Sequence, residues 1–232
     1  MKKVKNWLLS EFWLGYSVFE KFFLLSMVLL QVIVFIIVPD SLLNIIAGIS
    51  GVISVVLCAK GKISFYFIGF IQTIICIYLT WEERFYGEFA ENLFYLFTMI
   101  WGIFIWKKNM RKNENGTKQI KAKIFKLHHW VITIIVSGIA TFLLGYFLTS
   151  IGSRQAYIDS ATNVFAVIAQ LLMIWGYREQ WFWWIVIDIL CIIMWFSVGN
   201  WSMVAMYIAW TINCIYGWYN WTKLNKELLE NE

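Results

Sequence analysis

Charge is scarce in this chain: of 232 residues only 14% are Asp, Glu, Lys or Arg and 61% are hydrophobic, where soluble globular domains carry about 25% charged residues. That balance argues against a soluble enzyme. Proline is limited to Pro39, and no Ser/Gly/Pro-rich tract divides the chain, which excludes a flexible multidomain layout. The four cysteines, Cys58, Cys76, Cys191 and Cys214, lie in apolar runs without CxxC spacing, so they read as small buried hydrophobes and neither a disulfide framework nor a zinc site is expected. Histidine is confined to the adjacent His128 and His129 at the entrance of an apolar run. There is no HExxH, no GxxxxGK[ST] loop, no pair of carboxylates inside the apolar runs and no Ser-His constellation, so no cofactor or metal is expected and the enzyme reading is weak.

What the chain does have is apolar length. About 20 apolar residues at 1.5 Å rise cross a hydrocarbon core of roughly 30 Å, and eight runs approach that length: 22–38, 41–59, 63–81, 89–106, 130–151, 160–177, 181–199 and 201–221. A Pro39-Asp40 turn separates the first two. Residues 1–21, with Lys2, Lys3 and Lys5 ahead of Trp7, Leu8, Leu9, Phe12 and Trp13, form an amphipathic stretch suited to the headgroup layer. It lacks a small-residue cleavage site and is not read as a signal peptide.

With eight spans the loops alternate sides, and 17 of the 19 Lys and Arg fall on one side, eight of them in Lys107 to Lys126, against only Arg84 and Arg154 on the other. The positive-inside bias places both termini in the cytoplasm. The net charge of +5 then reflects topology and contact with anionic lipid, and needs no nucleic-acid partner.

An internal repeat is suggested by two motif pairs. Asp40-Ser41-Leu42-Leu43-Asn44 returns as Asp159-Ser160-Ala161-Thr162-Asn163, 119 residues later, and Asn92-Leu93-Phe94-Tyr95 returns as Asn213-Cys214-Ile215-Tyr216, 121 residues later. The plainer alternative is an Asp-Ser helix cap and chance recurrence of N-x-x-Y. If the repeat holds, two parallel three-helix units are joined by a linker helix, with a solute site expected between them near the midplane. The segments are then 1–21 amphipathic, 22–38 an extra span, 39–106 the first repeat, 107–151 the basic loop and linker, 152–222 the second repeat and 223–232 a tail.

Within the spans the one deeply placed ionisable group is Asp188, about 10 Å from the cytoplasmic end of its span. Asn213 lies about 12 Å from the same surface on the antiparallel last span, which makes it the expected partner. Trp181, Trp184 and Asp188 stand at i, i+3 and i+7, and Trp210, Asn213, Tyr216 and Asn220 form a second aromatic-polar stripe. Gln72 and Tyr95 fall about 14 and 17 Å from the cytoplasmic side, and Gln170 is similarly central. Flat aromatic walls with amides and hydroxyls suit a planar ring carrying sugar or carboxamide groups, and a Trp face with Asp188 suits a cation. Interfacial belts and helix-bridging hydrogen bonds explain the same residue types without a ligand.

These residues resemble the PnuC family of bacterial vitamin transporters, through Trp181-Phe182-Trp183-Trp184 as its WxxW, Asn213-Cys214-Ile215-Tyr216 as its NxxY, and Asp159 to Gln170 in support. The resemblance covers roughly residues 40–221. It implies a SWEET-like all-α fold of 3+1+3 helices, a homotrimer in the bacterial inner membrane, and facilitated diffusion of unphosphorylated nicotinamide riboside that a cytoplasmic kinase traps. It also implies that Trp181 and Trp184 stack on the ring while Asn213 and Tyr216 hydrogen-bond the solute. The expected site is Trp181, Trp184, Asp188, Asn213, Tyr216, Gln72, Asn92, Tyr95 and Gln170. Thiamine or riboflavin transport, a binding subunit needing a separate ATPase, and a membrane enzyme using Asp188 remain the alternatives.

Overall fold

The computed structural model describes residues 11, 16–37, 41–84, 86–112, 118–152, 155–199 and 201–230. The Pro39-Asp40 turn, Arg154 and most of the N-terminal amphipathic stretch lie outside them. Among the described residues the chain is all-helical apart from one hairpin: α1 (Val18–Ile37), α2 (Leu42–Ala59), α3 (Ser64–Glu82), α4 (Tyr86–Asn109), β1 (Met110–Lys112), β2 (Lys118–Ile120), α5 (Leu127–Ser150), α6 (Ala156–Trp175), α7 (Gln180–Val198) and α8 (Trp201–Glu230). Seven of the helices, α1 to α7, are long and apolar enough to cross a membrane. In α8 the polar residues Asn213, Tyr216 and Asn220 and the charged last turns lower the apolar content. Large apolar side chains face outward along these helices, as on α5 with Ile132, Ile135, Ile139, Phe142 and Leu143, which is the surface a lipid-embedded helix presents. The protein is an all-α integral membrane protein.

The helices gather into two compact units, Met1–Lys121 and Ala122–Glu232. Each has four helices, α1–α4 and α5–α8, with α1 packed on α2 and α5 on α6. The helix expected as the linker, α5, packs on α6 within the second unit.

In both units a glycine with positive φ turns the chain between the second and third helices, Gly61 at 68° and Gly176 at 77°, a backbone region that favours a residue without Cβ. In the first unit the Gly61 carbonyl accepts from Ile120 N–H at 2.8 Å, which ties the hairpin to the turn. In the second, the Gly176 carbonyl accepts from Lys123 N–H at 2.7 Å.

These glycines are 115 residues apart, and so are four further pairs of positions: Tyr66 and Trp181, Thr73 and Asp188, Met99 and Cys214, Trp106 and Trp221. Their contacts repeat as well. The Thr73 hydroxyl meets Met99 Sδ at 3.6 Å, and Cys214 Sγ meets Asp188 Oδ2 at 3.6 Å. Tyr66 stands edge-on to Trp106 at 5.4 Å between centroids and Trp181 to Trp221 at 5.9 Å. The structural repeat therefore runs at 115 residues, and the motif matches at 119 and 121 are out of step by four and six residues, between one and two turns. Ser41 caps α2, its Oγ accepting from Asn44 N–H at 3.2 Å, whereas Ser160 lies inside α6 and donates to the Ala156 carbonyl.

The described part of the N-terminal stretch is clasped to the first unit. Glu20 pairs with Lys60 at 2.8 Å, both buried, and Glu11 accepts from Ser64 Oγ at 2.6 Å while its backbone carbonyl accepts from Lys62 Nζ at 2.8 Å. Both ammonium groups approach the Tyr16 ring, at 4.8 and 5.1 Å from its centroid.

Removing one member of a buried ion pair strands its partner's charge. Lys60→Met should therefore lose about 3 kcal/mol of stability by unfolding in detergent, and adding Glu20→Gln should recover most of it. An unchanged melt would show that the pair contributes nothing. Burial pushes the Lys62 ammonium below its usual 10.5 against the opposing pull of Glu11. The folded chain then holds fewer protons than the unfolded one below pH 10.5, so this group's contribution rises with pH up to that point. Tyr16, pushed up by burial, acts the other way above pH 10. Lys62→Met should flatten the rising limb of the stability profile.

Candidate functional site

Most of the expected site residues stand in the second unit, on α6, α7 and α8. Small residues on α6 set the spacing: Ala166 and Ala169 are buried against α7, where Trp183, Ile187 and Cys191 fill the gap. Trp184 is half-buried and packs into both of these clusters beside Phe165, so it is directed toward α6.

Trp181 and Asp188, at i and i+7, form the face of α7 that meets α8. Trp181 is 3% exposed and lies against Gly217 and Trp221. The partner of Asp188 is Cys214, through Sγ to Oδ2 at 3.6 Å, and not the expected Asn213. The reason is helix geometry. Cys214, Gly217 and Trp221 form the contact stripe of α8, and Asn213, Tyr216 and Asn220 form a second stripe one residue earlier, about 100° round the helix. A residue on the polar stripe and its neighbour on the contact stripe cannot both face α7.

Several polar atoms of α7 and α8 are buried without hydrogen-bond partners among the described residues: Asn213 Oδ1, Trp181 Nε1, Trp183 Nε1 and both amide atoms of Gln180. Buried polar groups are ordinarily hydrogen-bonded, and leaving one unmade costs about 1–3 kcal/mol. Just before α7 the charged groups are engaged with one another and with their neighbours. The Arg178 guanidinium donates to Glu179 Oε1 at 2.7 Å and Thr222 Oγ1 at 3.2 Å and stacks over Trp218 at 4.0 Å, and Glu179 Oε2 accepts from Phe125 N–H at 3.0 Å.

The site residues expected in the first unit are engaged locally. Asn92 Nδ2 donates to the Glu88 carbonyl at 2.8 Å and the Tyr95 hydroxyl to Glu91 Oε1 at 2.6 Å, both on α4. Gln72 lies across Gly51 of α2. Gln170 is buried on α6.

In the 115-residue register the first unit has Gly69 where the second has Trp184, Thr98 for Asn213, Trp101 for Tyr216 and Phe65 for Gln180. The Thr98 hydroxyl is satisfied by the Phe94 carbonyl at 2.7 Å. The helices repeat and position 216 keeps an aromatic as Trp101, but the amides of Asn213 and Gln180 and the indole of Trp184 have no counterpart. Sequence reasoning missed Gln180, Cys214 and Gly217. The available signal for Gly217 was a helix-disfavoured residue placed directly after the N-x-x-Y motif. Among the described residues no three His, Cys, Asp or Glu side chains are grouped to hold a metal.

A family model described as Nicotinamide mononucleotide transporter matches residues 41–223. The protein named Nicotinamide riboside transporter PnuC from Haemophilus influenzae is 39% identical, covering 94% of this chain and 95% of its own. Its namesake from Neisseria mucosa is 36% identical, covering 95% and 87%. Among solved structures, the crystal structure of the vitamin B3 transporter PnuC superposes with a TM-score of 0.82 at 35% identity, covering 95% of this chain and 97% of that one. All are named as transporters, not enzymes.

Asn213→Leu keeps the branched shape of the side chain and removes the orphaned acceptor. If that acceptor is kept for a solute, the variant should melt at or above the parent temperature while losing solute binding by titration calorimetry. An acceptor with a structural role would instead give a loss of about 1–3 kcal/mol in stability.

Proposed function

We propose that this chain, which belongs to the nicotinamide mononucleotide transporter family, carries nicotinamide riboside across the bacterial inner membrane by facilitated diffusion, with intracellular phosphorylation maintaining net uptake. The observation that carries the reading is the pair of orphaned polar atoms, Asn213 Oδ1 and Trp181 Nε1, held buried by residues of the N-x-x-Y and W-x-x-W motifs. An unsatisfied carbonyl accepts from ribose hydroxyls, and an unsatisfied indole N–H donates to a carboxamide oxygen. The aromatic rings of Trp181 and Trp184 suit a pyridinium ring, and Asp188 supplies negative charge within the same unit. The names of the relatives support the same solute.

The charge argument also bears on energetics. A 5′-phosphate would bring negative charge toward a site that already holds a buried carboxylate, and repulsion there favours the unphosphorylated riboside. A kinase on the cytoplasmic side would then convert the carried form into one that does not return. The reading includes both termini in the cytoplasm, supported by the distribution of basic residues, and a homotrimer, supported by the family resemblance.

Purified protein in liposomes, with no ATP and no other protein, should equilibrate nicotinamide riboside across the bilayer. Absence of flux from folded protein would overturn uniport, and recovery on adding an ATPase partner would favour the binding-subunit alternative. Preference for thiamine would keep the mechanism and change the solute. Asp188→Asn should weaken binding of the cationic riboside about tenfold, roughly 1.4 kcal/mol, and that of its neutral dihydro form much less. Equal losses would reject the electrostatic account. A C-terminal fluorescent fusion should light up in the cytoplasm, and a C-terminal phosphatase fusion should be inactive.

A further inference from the structure

We propose that Gly217 is a positioning residue for transport: by lacking a side chain it lets the Trp181 ring seat against the backbone of α8, and so sets where the indole stands relative to Asn213 and Tyr216. The proposal rests on the reading above in which Trp181 contacts the solute.

Gly217 is buried in the interior of a 30-residue helix with no turn to make there. A glycine in a helix interior is less favourable than alanine by about 1 kcal/mol, so its retention calls for a packing reason. A Cβ at position 217 would fall 2.5 Å from Cε2 and 2.7 Å from Cδ2 and Cζ2 of Trp181, where ordinary contact begins at 3.4 Å. The clash is with the rigid fused bond of the indole and not with the tip of a flexible chain. Trp221 stands perpendicular to the same ring, with an interplanar angle of 86°, and braces it from one turn further along α8. The ring therefore cannot swing away without disturbing Trp221. Any side chain at 217 must displace the indole by nearly 1 Å, the difference between these contacts and ordinary ones.

The first unit repeats the device. Gly102 is 115 residues before Gly217, and a Cβ there would meet the Tyr66 ring, with Cζ at 2.7 Å and Cε1 at 2.9 Å, while Trp106 stands edge-on at 84°. The glycine, its aromatic and the bracing tryptophan thus recur as a set. In the first unit, however, Thr98, Trp101 and Gly69 occupy the positions that correspond to Asn213, Tyr216 and Trp184, so the amide, the phenol and the second tryptophan of the W-x-x-W motif have no counterpart there. The two glycines impose the same packing, and only one of them bears on the polar stripe. That gives an internal control.

The test compares four variants of the full chain, Gly217→Ala, Trp181→Ala, the double variant and Gly102→Ala, by calorimetric titration with nicotinamide riboside and by thermal melting in detergent. The expected result is at least a tenfold weaker Kd for Gly217→Ala and for Trp181→Ala, with the double variant within about twofold of Trp181→Ala alone, because a glycine that acts only through the indole has nothing left to position. Gly102→Ala should lower the melting temperature comparably and leave Kd within about threefold. If Gly217→Ala does not yield folded protein, the double variant, in which the clash is relieved, decides: binding equal to Trp181→Ala supports the proposal. Unchanged affinity in Gly217→Ala, or losses that multiply in the double variant, overturns it. Unchanged affinity in Trp181→Ala overturns the assignment of Trp181 to the solute, a separate failure that the same titration reveals.

Discussion

Inside a lipid-embedded bundle a polar atom has no water to fall back on, so each one is either paired within the protein or reserved for something that passes through. The second unit divides along that line. Its cytoplasmic-facing charges in the proposed orientation, Arg178 and Glu179, are engaged with Thr222, Phe125 and each other, with Arg178 Nε left over. The serine and threonine hydroxyls of the helices are largely returned to their own backbone, as in Ser160 and Thr211. What stays unspent beside them lies in Gln180, Trp181, Trp183 and Asn213. For Asn213 this follows from its place on the polar stripe of α8, turned about 100° from the stripe that packs on α7.

Duplication supplied the frame and divergence supplied the chemistry. Positions 115 apart hold equivalent contacts even where the residues differ: a tyrosine ring for an indole, a hydroxyl-to-thioether contact for a thiol-to-carboxylate one. Replacing Thr73 by its counterpart Asp188 changes the charge without changing the geometry. The substitution of Gly69 by Trp184, and of Thr98 by Asn213, converts a plain helix contact into a polar, aromatic one. One half can retain the packing while the other half takes on the solute.

The helices were readable from apolar length alone, because the span 63–81 and α3 (Ser64–Glu82), or the span 181–199 and α7 (Gln180–Val198), are fixed by the same requirement to cross the bilayer. The family was readable from W-x-x-W and N-x-x-Y together. The register of the repeat was not, because the contacts that carry it join unlike residues, and the identical letters of D-S-x-x-N fall on a cap in one half and within a helix in the other. Depth placed Asp188 and Asn213 at one level correctly in the coarse sense, since Asp188 touches the next residue, Cys214. Which of two neighbours faces inward depends on the rotation of α8, and that is set by the glycine at 217 and the tryptophan at 221, residues whose role shows only once the two helices are docked.

The length of α8 has a mechanical meaning. At 1.5 Å per residue its 30 residues extend about 45 Å, while the hydrocarbon core is about 30 Å thick. The charged last turns, with Lys223 and Glu227, therefore belong to the same uninterrupted rod that carries Tyr216 and Asn213, and Asn225 holds that rod to the Ala122 carbonyl at 2.9 Å. No break in the helix separates Lys226 from Asn213, so the polar stripe and the charged turns are one continuous element.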